Sequence, residues 1–142
     1  MSDNLRRPSV SGFTLIELMV VMVILGLLAS LVLPNFLGQA AKARVKAARV
    51  QISSLSTALD TFALDVGSYP STQDGLDALH QAPSDAKRWD GPYLPKAVPA
   101  DPWGTAYQYK GPDGDGFYEI LSYGADGKSG GEGDAADISS RE

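Results

Sequence analysis

The sequence predicts an α+β fold in which one long N-terminal helix packs on a small antiparallel sheet. Three features of the 142 residues carry that expectation. Across residues 13–66 apolar side chains recur at helical spacing, with no strand-like alternation. Residues 106–110 and 117–122 are short alternating runs on either side of the glycine-rich stretch 111–116, as in a hairpin. Between helix and hairpin, residues 81–104 are rich in proline and hold both tryptophans, Trp89 and Trp103, which reads as a loop with turns.

Residues 13–33, FTLIELMVVMVILGLLASLVL, contain a single charge, Glu17. As a helix they span about 30 Å, one hydrocarbon thickness. The preceding MSDNLRRPSVSG carries Arg6 and Arg7, so the positive-inside rule puts that end in the cytoplasm. A cleavable signal peptide fits poorly, because its apolar core is shorter and is followed by a small-residue cleavage site. A plain anchor leaves Glu17 unexplained, since a carboxylate costs a few kcal/mol at the bilayer centre. Snorkelling toward the interface is the unspecific account of it. Gly26 and Pro34 interrupt the run. Proline predicts a kink, and the glycine equally suits close packing between membrane helices.

From residue 35 to residue 67 the helical pattern continues without membrane-like composition. Val45, Ala48, Ile52, Leu55, Leu59, Phe62 and Val66 form one apolar stripe. Lys42, Arg44, Lys46 and Arg49 lie on other faces, either as a solvated face or as a contact for lipid headgroups or acidic neighbours. Gly67 ends the helix. Residues 68–142 must cover the stripe, beginning with a turn and a short helix over 74–79. Trp103 is read as an aromatic side chain packing on the helix. His80, the only histidine, suits a surface or capping role.

The net charge of −5 belongs to the soluble part and argues against nucleic-acid binding, which needs cations for phosphate. Without cysteine there is neither a disulfide nor thiol catalysis. One histidine, no serine-centred elbow and no G-x-x-x-x-G-K-[ST] loop leave little from which to build an enzyme.

The stretch Gly12-Phe13-Thr14-Leu15-Ile16-Glu17, behind a short basic leader, resembles the leader and processing site of type IV pilins. The segments YPSTQDGLDAL (69–79), DPWGTAYQY (101–109) and LSYGADGKSGGEGDAADI (121–138) resemble, more narrowly, the major pseudopilins of type II secretion systems. The resemblance covers nearly the whole chain from Gly12. It implies a type IV pilin-like fold divided into a cleaved leader (1–12), a transmembrane and filament-core helix (13–34), its amphipathic continuation (35–67) and a periplasmic globular domain (68–142). It implies that prepilin peptidase cuts after Gly12 and methylates the new N-terminus of Phe13. Glu17 would then pair with the N-terminal amine of the neighbouring subunit. Such a pair selects register more than it adds stability.

The partners implied are further copies in a pseudopilus, minor pseudopilins, an inner-membrane platform with its ATPase, an outer-membrane secretin, and membrane lipid before assembly. The location implied is the inner membrane, single-pass, with assembly into a periplasmic filament that drives secretion of folded proteins. A type IV pilin or minor pseudopilin in a surface filament is the alternative. Ordinary type IV pilins usually close the C-terminal region with a disulfide, which this chain cannot form.

The stretch 111–137 has eight glycines and seven acids against one base, Lys128. Taken alone it should stay disordered unless neutralised. Calcium takes carboxylate and carbonyl oxygens, and glycines let a backbone wrap it. The EF-hand spacing is absent, and from composition alone an ordinary solvated acidic loop is the better fit. The resemblance implies one calcium here. Asp126 matches the family motif well, Asp137 next, with Asp134 as competitor. Carbonyls of Leu121 and Tyr123 would complete the shell.

Overall fold

The computed structural model describes residues 12–113 and 116–142, and side chains there except at residues 32–37 and 113. The leader expected over 1–12 thus lies outside the described residues up to position 11. Helix α1 spans Leu15–Val66, 52 residues. It is helical through Pro34, so proline does not end it. The chain divides into two units, residues 1–38 and 39–142.

In the first unit the apolar side chains described are uncovered, from 47% exposed at Val21 to 91% at Phe13. Among the described residues no helix is long and apolar enough to cross a membrane. The apolar run read from the sequence continues past Leu31 into residues 32–37, whose side chains lie outside that description.

The second unit holds the core. Ala48, Ile52, Leu55, Leu59 and Phe62 are all buried along α1, with Val45 and Val66 packed at the ends of the stripe. Gly67 takes φ +98°, which an L side chain rarely adopts, and its N–H reaches the Ala63 carbonyl at 2.8 Å. The next turn is a 3₁₀ helix, Gly75–Leu79, which buries Leu76, Ala78 and Leu79. His80 closes it through its own N–H to the Asp77 carbonyl. The proline-rich loop adds Trp89, Tyr93, Leu94, Val98 and Trp103 against the core. Trp89 donates its indole N–H to the Ala78 carbonyl at 2.9 Å.

The sheet has three antiparallel strands in the order β1 (Gln108–Asp113), β2 (Phe117–Ser122) and β3 (Ile138–Ser139). Tyr109 pairs with Ile120, and the register shifts between Lys110 and Asp113. The first strand runs over 108–113, where its alternating pattern predicts 106–110. β3 has no alternating run to announce it. Its two residues pair with Leu121 and Ser122, and Ile138 joins Ile120 and Tyr107 in the core.

Polar ties join α1 to the covering domain. Tyr107 donates its hydroxyl to Gln51, Tyr93 to Asp65 and Tyr69 to Asp60. Burial first, and then the charge of Asp101, push the Tyr107 phenol up to about 12, so it remains a donor at physiological pH. Of the basic cluster on α1, Arg49 pairs with Glu142 at 3.6 Å on the surface, a contact of small energetic weight.

The stripe makes a direct prediction. Leu59→Ala, at a fully buried position, should cost about 2–5 kcal/mol in urea denaturation of the chain in detergent. Leu64→Ala, 83% exposed on the same helix, should stay within about 0.5 kcal/mol. Equal losses would show that α1 does not bury the stripe seen here.

Candidate functional site

Two places gather the residues that sequence reasoning singles out. At the N-terminus, Gly12, Phe13 and Thr14 precede the first turn of α1, all exposed. Thr14 caps the helix. The Glu17 carboxylate accepts the Thr14 backbone N–H at 2.7 Å and its hydroxyl at 2.9 Å, while the Glu17 N–H reaches the Thr14 hydroxyl oxygen at 3.3 Å. Residue pairs spaced S/T-x-x-E close such reciprocal boxes because helix N–H groups there lack partners. Glu17 thus has a role within its own chain. The sequence carries that signature too.

The second place is the acidic loop that joins β2 to β3. Leu121 lies inside β2, opposite Gln108 on one side and Ser139 on the other. Tyr123 leads into a 3₁₀ turn, Gly124–Asp126, and a second turn covers Gly133–Ala135. The glycines make the path possible. Gly124 has φ +64°, and a Cβ there would lie 2.8 Å from both the Asp134 and the Ala136 carbonyl oxygens. Only glycine lets these segments approach so closely. Residues 121–137 are folded where composition alone suggests disorder, partly because their own amides serve their carboxylates. Asp126 accepts the Lys128 N–H at 3.1 Å, and Asp137 Oδ2 accepts the Gly130 N–H at 2.9 Å.

Of the three candidate acids, Asp126 is exposed and Asp134 and Asp137 are half-buried. Asp137 Oδ1 is buried without any hydrogen-bond partner. A buried carboxylate oxygen left unpaired is costly and needs a compensating group. Among the described residues no three acidic, histidine or cysteine side chains form a metal-holding group. A cation there would need main-chain carbonyls as well, which suits calcium and not zinc.

Sequence reasoning missed one residue beneath this loop. Asp101 is 5% exposed. Its Oδ1 accepts the N–H groups of Trp103 at 3.1 Å and Thr105 at 2.8 Å, closing the Asp-Pro-Trp-Gly turn. Its Oδ2 accepts the hydroxyl of Ser122, itself buried, at 2.6 Å. An aspartate before proline that bonds an amide two residues on is a familiar turn signal. The bond to Ser122 has no local signal. Trp103 then both belongs to a fixed turn and packs against the core.

Comparison with known proteins covers both stretches of the chain. Residues 7–33 fit the prokaryotic N-terminal methylation motif. Residues 35–141 fit the model of type II secretion system protein G. Type II secretion system core protein G of Pseudomonas aeruginosa is 46% identical over 137 residues, 94% of this chain and 96% of that one. The protein of the same name from Vibrio cholerae is 47% identical over 131 residues, 90% of this chain and 89% of its own. The crystal structure of the major pseudopilin from the type 2 secretion system of enterohaemorrhagic Escherichia coli matches with a TM-score of 0.60 at 34% identity, covering 75% of this chain and 94% of that one.

A methylation motif leading into a long helix and a three-stranded sheet places the molecule among proteins with the pseudopilin fold. Within them, the chain belongs to the type II secretion system protein G family, that of the major pseudopilin.

Proposed function

We propose that this chain, a major pseudopilin of type II secretion, works as a polymer in the periplasm and has no turnover of its own. The observation that carries the reading is the first unit. Large apolar side chains from Phe13 to Leu31 are uncovered around a single carboxylate, Glu17. A surface of that kind needs lipid or like helices to cover it. Lipid covers it before assembly, as a single-pass anchor in the inner membrane with the second unit in the periplasm. Neighbouring copies cover it afterwards. The inner-membrane platform and its ATPase supply the driving force, minor pseudopilins and the secretin complete the path, and the growing rod pushes folded substrates outward.

Prepilin peptidase cuts after Gly12 and methylates Phe13, which frees the charged amine that Glu17 of a neighbour meets. Mass spectrometry of the mature chain should find an N-terminus at Phe13 carrying one added methyl group. An intact Met1, or cleavage after Ala29, would remove the reading. Deletion of the chain should block exoprotein release and leave twitching and attachment intact; the opposite outcome would assign a surface filament instead.

The acidic loop is read as a calcium site. Asp126 and Asp137 would supply carboxylates, and the carbonyls of Leu121 and Tyr123 the neutral oxygens. The support is Asp137 Oδ1, buried with no partner, with Asp134 as its competitor. Bound there, calcium would serve as a structural cross-link in a chain without cysteine.

A further inference from the structure

We propose that Asp101 is a positioning residue for the calcium loop, acting through Ser122; this rests on the calcium reading above. Both side chains are buried, 5% and 1% exposed, and both are hydrogen-bonded. With Oδ1 taken by two backbone amides and Oδ2 by the Ser122 hydroxyl, both Asp101 oxygens already serve protein donors, so its role is positioning and not ligation. Its influence runs along a chain of bonds. The Ser122 hydroxyl gives its proton to Asp101 and accepts the Gly124 N–H at 3.3 Å.

Gly124 in turn sits directly against the carbonyls of Asp134 and Ala136. Across the sheet, Ser122 pairs with Ile138, the residue after Asp137. The two walls of the loop, 121–126 and 134–137, therefore meet at Ser122 and Gly124. Asp101 fixes that junction to a turn 21 residues upstream. A carboxylate is the group this needs: it accepts on both oxygens, and a charged acceptor strengthens each bond. A carboxamide has one acceptor only. Asp101→Asn can keep the turn or the serine, not both in the same way.

The test is calcium chloride titration of the full mature chain in detergent, followed by calorimetry. Wild-type chain should saturate. Asp101→Asn and Ser122→Ala should each weaken the calcium Kd about tenfold or more. The double variant should be no weaker than the worse single, because both break one link. Ser122→Ala alters no charge, so its loss is not a long-range electrostatic effect, and it keeps the test intact if Asp101→Asn fails to fold. Wild-type affinity in Ser122→Ala, or losses that multiply in the double variant, would overturn the relay and leave Asp101 as the builder of its own turn. Failure of the wild-type chain to bind calcium would overturn the calcium reading, and this role with it; that result is read from the wild-type arm alone.

Discussion

Glu17→Gln should leave insertion and processing intact and abolish filament assembly. Glutamine keeps the shape and the acceptor that reach back to the Thr14 N–H, so the capping box survives. Only the charge goes. Removing a charge from an apolar helix eases its insertion into a membrane, and the proposed cleavage site between Gly12 and Phe13 is untouched. On the reading proposed above, what is lost is the partner for the amine of the neighbouring subunit. Breaking a buried ion pair on one side costs about 3–5 kcal/mol, because a charge is left without compensation. At about 1.4 kcal/mol per tenfold, each subunit addition weakens by roughly a hundredfold or more. Glu17→Ala removes the acceptor half of the box as well, while the residue-17 N–H keeps its bond to the Thr14 hydroxyl. The two variants thus separate the intrachain role of Glu17 from its role between chains. Mass spectrometry checks processing, and electron microscopy with an exoprotein assay checks assembly. Normal filaments and secretion from Glu17→Gln, with no wild-type chain present, would leave the capping box as the whole purpose of the residue.

That separation also shows what the sequence makes legible. The stripe from Val45 to Val66 is read correctly because helical periodicity and burial are the same fact seen twice. Gly67 is legible for a similar reason, since only glycine takes its φ without strain. The hairpin is placed correctly, but its first strand runs on to Asp113 past a register shift that no alternating pattern announces. β3 escapes because a two-residue strand carries no period, and its pairing with Leu121 and Ser122 is supplied by tertiary context. Asp101 escapes for a related reason: its turn is local, but the serine it holds is distant in sequence. The Thr14–Glu17 box lies within reach of pattern reading. It is obscured by the more conspicuous oddity of a charge in an apolar run.

Calcium should act as the staple that the missing cysteines cannot provide. Ion binding to the folded loop alone stabilises by mass action, about 2.7 kcal/mol at a hundredfold excess over Kd. For a folded unit the size of residues 39–142, that corresponds to roughly 10–20 °C in Tm. Chelation should therefore lower the Tm of the chain in detergent by about that amount and open the loop to protease. Asp137→Ala should reproduce the chelated state and abolish any further effect of chelator. The apo protein is not expected to lose stability from this change in proportion, because Asp137 Oδ1 has no partner to lose, and only the Gly130 and Ser129 contacts of Oδ2 go. Asp126→Ala should behave alike. Asp134→Ala should be milder, since the close approach of Asp134 to Gly124 is made by its main-chain carbonyl, which alanine retains. Magnesium should rescue poorly, because its small octahedral shell demands a geometry that a loop of carbonyls supplies less well. An unchanged Tm on adding calcium to the wild-type chain would mean that the unpaired oxygen of Asp137 is satisfied by water and that the loop holds itself together through its own amides.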